Sequence, residues 1–66
     1  MNNFDVFWFD ENGTIWIGAV DTLETAKAHI EALEKSGKQP QAKLGRYEVI
    51  DRRTGETVYQ SSHHEG

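Results

Sequence analysis

Apolar and polar positions change their period several times along this chain, and each change marks an element. Phe4-Asp5-Val6-Phe7-Trp8-Phe9 is dense in aromatic and β-branched side chains, the composition of a strand. Asp10-Glu11-Asn12-Gly13 is turn chemistry, after which Thr14-Ile15-Trp16-Ile17-Gly18-Ala19-Val20 resumes as a second strand. Asp at the first turn position and Gly at the fourth favour a type I turn with Gly13 in the left-handed region. That turn pairs Asp10 with Thr14, Phe9 with Ile15, Trp8 with Trp16 and Phe7 with Ile17. A two-residue Asn12-Gly13 turn would slip the register by one and exchange the faces.

The period then lengthens. Leu23, Ala26, Ile30 and Leu33 recur at intervals of three and four, which predicts a helix over 22–36 with one narrow apolar stripe. Asp21 or Thr22 can cap it, with Glu24 in capping-box spacing from Asp21. Lys35 falls in the last turn, where the dipole favours a cation, and Gly37 suits the position after the C-terminus. A polar loop over 38–45 surrounds the only proline. Arg46–Asp51 reads as a third strand, Arg52-Arg53-Thr54-Gly55 as a turn with glycine at its left-handed end, and Glu56–Gln60 as a fourth strand. Residues 1–60 therefore form one domain, and 61–66 are expected to fray as a flexible tail.

Strand 1 is apolar on both faces: Phe4, Val6 and Trp8 on one, Phe7 and Phe9 on the other. Edge strands avoid that pattern because it templates aggregation, so strand 1 belongs in the middle of the sheet. A right-handed crossover through the helix sets strand 3 beside it. The predicted class is α+β, a ββαββ chain whose antiparallel sheet has the order 2-1-3-4 and one helix on one face. A single helix leaves the other face open. The expected arrangement puts the helix over Phe7, Phe9, Ile15 and Ile17, so that Phe4, Val6, Trp8 and Trp16 form an open interaction face. The other arrangement seals both indoles in one core and lays the 38–45 loop over the phenylalanines.

Length and composition narrow what such a fold can do. At 66 residues, apolar burial of about 95 kcal/mol stands against an ordering cost of about 90 kcal/mol, and the absence of cysteine removes disulfides and thiolate metal sites. A multidomain enzyme, a disulfide-knotted domain and a cysteine-ligated zinc finger are excluded. No apolar run approaches a membrane span, and Met1-Asn2-Asn3-Phe4-Asp5 lacks the basic start of a signal peptide, so a cytoplasmic protein is expected. The net charge of −4 is uneven. Residues 1–34 carry seven carboxylates against Lys27, whereas Lys35, Lys38, Lys43, Arg46, Arg52 and Arg53 make the second half mildly basic.

Candidate chemistry is sparse. His29 has no nucleophile placed to need it, and Asp10-Glu11 is explained by the turn. His63-His64-Glu65 could bind nickel or copper in vitro, but nothing fixes its geometry. No phosphate loop, H-E-x-x-H or G-x-S-x-G pattern occurs. No catalytic residue, metal or cofactor is therefore expected. The strings GTIWIGAVDTLETAKAHIEAL and GRYEVIDRRTGETVY, spanning most of 4–60, resemble small bacterial hypothetical proteins of ββαββ layout. That resemblance implies the fold and no activity.

The leading expectation is a non-enzymatic protein-interaction module, a homodimer joined through its aromatic sheet face. One alternative is a nucleic-acid binder that stacks bases on the open sheet and holds phosphates with Lys43, Arg46, Arg52 and Arg53 (with Lys38 nearby), against which the net charge argues. Another is an acidic inhibitor of a basic partner.

Overall fold

A computed structural model describes residues 2–36 and 45–63, with the side chains of 62 and 63 outside that description. Strands β1 (Phe4–Asp10) and β2 (Gly13–Val20) precede helix α1 (Leu23–Ser36), and β3 (Gly45–Asp51) and β4 (Thr57–His63) follow it. The four strands form one antiparallel sheet in the order β2-β1-β3-β4. This is the expected ββαββ layout, with β1 bonded on both sides.

The first hairpin closes differently from expectation. Asp10 pairs with Gly13 across a two-residue Glu11-Asn12 loop, which continues as Phe9↔Thr14, Trp8↔Ile15 and Phe7↔Trp16. Gly13 has φ 129°, a backbone region that L side chains rarely adopt, and the Asp10 carboxylate caps the loop by accepting from the Asn12 amide at 2.7 Å. A bulge between Val6 and Phe7 then restores the expected offset at Val6↔Gly18 and Phe4↔Val20. The extra residue is Ile17. Its insertion switches the alternation, so that Ile15, Ile17 and Val20 all pack against the core.

Thr22 is the helix cap. Its Oγ1 accepts from the Thr25 amide at 3.1 Å and its carbonyl accepts from Ala26. The predicted stripe turns inward: Ala26 and Ile30 are buried, with Leu23 and Leu33 packed beside them. Against them lie Val6 and Trp8 of β1 and Tyr47 and Val49 of β3. The Trp8 and Tyr47 rings meet edge to face at 4.8 Å, and the buried indole N–H donates to Asp10 Oδ2 at 2.6 Å. Gly45 lies against the edge of this indole. A Cβ there would stand 2.7 Å from Trp8 Cη2 and 2.8 Å from the Phe9 carbonyl oxygen.

Two further expectations are corrected. The helix covers the Phe4/Val6/Trp8 face of β1, not the Phe7/Phe9 face, because the tighter hairpin places Trp8 opposite Ile15 and leaves Trp16 with Phe7. The fourth strand extends beyond residue 60, because Ser61, Ser62 and His63 continue the ladder opposite Tyr47, Arg46 and Gly45. The C-terminal glycine of the helix, the loop over 38–44 and the tail over 64–66 lie outside the described residues.

Candidate functional site

The sheet face away from α1 is built on β1 and β3. Alternation sends Asp5, Phe7 and Phe9 to it from β1, and register brings Ile50, Glu48 and Arg46 of β3 beside them. Trp16 of β2 stands opposite Phe7 and is 57% exposed, whereas Trp8 is fully buried. Of the four residues expected to form the interaction face, Trp16 alone is on it. Phe4 packs against the core, and Val6 and Trp8 lie within it.

Phe7, Phe9 and Trp16 are the apolar centre of this face. The Phe7 and Phe9 rings stand 6.0 Å apart, and the Arg46 guanidinium lies 4.8 Å from the Phe9 centroid. Two ion pairs share the face with these rings. In one, Arg52 grips Asp5 with Nη2 donating to Oδ1 at 2.6 Å and Nε to Oδ2 at 3.1 Å, while Trp16 Nε1 donates to the same carboxylate at 3.2 Å. These donors hold the Asp5 carboxyl below the usual carboxylate range, the Arg52 hydrogen bond most of all. In the other, Glu48 accepts from Arg46, from Thr57 Oγ1 at 3.2 Å and from Gln60 Nε2 at 3.2 Å. Glu48 is 7% exposed even on this side of the sheet, and three donors satisfy its carboxylate.

The basic residues considered for nucleic acid are already engaged where they are described. Arg46 is paired with Glu48, Arg52 with Asp5, and Arg53 lies 3.8 Å from Asp51. Lys43 is outside the described residues. Among the described residues no group of three His, Cys, Asp or Glu could hold a metal ion, and no helix is long and apolar enough to cross a membrane.

A second concavity, about 430 Å³, lies on the helix side between α1 and β4. Its walls are Glu24, Lys27, Glu31 and Glu34 of α1 with Ile30 at their base, and Tyr59 of β4 faces them. Sequence reasoning missed it, because it depends on where the helix sits over the sheet. The i, i+3, i+7, i+10 spacing of the four charged residues was its one visible signal.

The fold defines an α+β protein with a four-stranded antiparallel sheet and one helix. In comparisons with known proteins, no family model, no curated protein and no solved structure matches the chain.

Proposed function

We propose that this protein is a small non-enzymatic interaction module that self-associates through the uncovered face of its sheet. One observation carries the reading: Phe7 and Phe9, on a central strand that is apolar front and back, share with Trp16 of β2 a face that no described element covers. Phe7 and Phe9 are half-buried and Trp16 is exposed, and uncovered apolar patches of this kind usually mark contact surfaces. The charges around them favour a second copy. Asp5 and Arg52, and Arg46 and Glu48, neutralise one another, so the face is balanced although the whole chain carries −4. Two copies therefore meet there without repulsion at the contact, and a polyanion finds guanidiniums that are already bonded to carboxylates. Membership of the small bacterial ββαββ proteins is part of the same proposal and adds no activity.

The size of the face sets the strength. Four strands about 4.8 Å apart and seven residues long outline roughly 450 Å² in plan, below the ~800 Å² per partner of a standard interface. The dimer should accordingly be weak and reversible. Sedimentation velocity from about 1 µM to about 1 mM spans the range in which such an interface dissociates. The weight-average mass should climb toward twice that of the monomer, and Phe9→Lys should hold it at one. A strict monomer throughout would overturn the proposal.

A further inference from the structure

We propose that the outer edge of β4 is a docking site for an extended, basic segment of a partner protein, which adds a fifth strand and sets its Lys or Arg side chains against α1. This surface is separate from the aromatic face, and self-association there leaves it open.

Three observations converge on this edge. First, β4 is an end strand of seven residues, Thr57-Val58-Tyr59-Gln60-Ser61-Ser62-His63, with no Lys, Arg, Asp, Glu or Pro. Those are the residues by which proteins ordinarily discourage strand addition. Its bulge lies at Thr57–Tyr59, so pairing from Tyr59 to His63 is regular, and among the described residues nothing pairs with its outer side. The opposite edge is different: β2 carries its bulge in mid-strand, where it interrupts a template.

Second, α1 is set off-centre. It packs over β2, β1 and β3 and meets β4 through Lys27, which lies 5.1 Å from the Tyr59 ring centroid, and through Glu34, which accepts from Ser61 Oγ at 2.8 Å. The 430 Å³ groove above β4 is the space this offset leaves. A strand added beyond β4 would project every second side chain toward the groove.

Third, the groove selects charge. Glu24, Lys27, Glu31 and Glu34 make a helical stripe with net −2, and Lys27 leans over Tyr59 instead of bridging the glutamates. Glu24 and Glu31 lie two turns apart, about 10.5 Å along the axis, both exposed. A second copy brought edge to edge at β4 would oppose two such stripes, whereas a segment alternating Lys or Arg with apolar residues complements them. Backbone pairing provides the register, and the glutamates provide the choice of partner.

The test uses the full chain and an acetylated, amidated Lys-Val-Lys-Val-Lys-Val peptide, read by amide exchange and chemical shifts in NMR. Exchange at residues 59–63 should slow saturably. The Glu24→Gln, Glu31→Gln double variant, altered at two exposed helix positions, should keep its fold and bind about tenfold more weakly. A Glu-Val peptide of the same length should bind at least as poorly as that. The proposal is overturned if ~1 mM peptide leaves exchange at 59–63 unchanged. It is equally overturned if shifts centre on Phe7, Phe9 and Trp16, or if the glutamate peptide binds as tightly.

Discussion

Replacing Trp16 with alanine separates association from folding. The residue is 57% exposed in one copy, so of the ~250 Å² a tryptophan presents, roughly 140 Å² remains available to a partner. Two copies offer about 280 Å², worth about 7 kcal/mol at ~25 cal/mol per Å² if fully covered. Covering half gives about 3.5 kcal/mol, or a roughly 300-fold weaker dimer for Trp16→Ala. The fold itself loses far less. The indole contributes an exposed hydrogen bond to Asp5 and partial contact with its sheet neighbours, about 1 kcal/mol together. The assay is paired: sedimentation for the association constant, and urea unfolding under dilute, monomeric conditions for stability. Equal association by the variant and the parent protein would refute the reasoning. So would a stability loss at high dilution as large as the loss in association, because Trp16 would then belong to the monomer's own core.

Four further outcomes follow from particular contacts. Gly45→Ala forces a methyl group into the Trp8 ring edge and the Phe9 carbonyl, neither of which can retreat from the packed core, and should destabilise by about 1–3 kcal/mol with a visible change in near-UV circular dichroism. Thr22→Ala removes the acceptor of the Thr25 amide and should cost about 1 kcal/mol, lowering the Tm by about 4–8 °C in a domain of this size. The lowered pKa of Asp5 makes its stabilisation complete above the unfolded value of about 3.9 and lost as pH falls through the folded one. Urea midpoints between pH 5 and 2 should therefore drop more steeply in the parent protein than in Asp5→Asn. Burial, reinforced by the Glu34 charge, raises the pKa of Tyr47. Stability present below the unfolded value of about 10 should be lost as pH rises toward the folded one, and Tyr47→Phe should blunt that alkaline decline.

What could be read from the residues was whatever depends on local period and on the count of apolar faces. The Leu23-Ala26-Ile30-Leu33 stripe fixed the helix and its buried side. The double apolar character of Phe4–Phe9 required a central strand, and the order β2-β1-β3-β4 followed from it. The same count required one face to stay uncovered by the helix. Which face it was is only weakly marked in the sequence: Asp5 shares the Phe7/Phe9 side of β1 while Phe4, Val6 and Trp8 share the other, and the two sets differ by a single step of the pleat. The decision rests on the hairpin: closure at Asp10↔Gly13 sets Trp8 opposite Ile15, and the bulge at Ile17 gathers Ile15, Ile17 and Val20 on the helix side. Gly45 then admits the Trp8 ring where any Cβ would exclude it. The offset of α1 from β4, and with it the acidic groove, is likewise a consequence of packing between elements far apart in the chain. Period is a property of neighbours along the backbone, whereas facing and offset are set by contacts between distant segments, and only the folded chain brings those together.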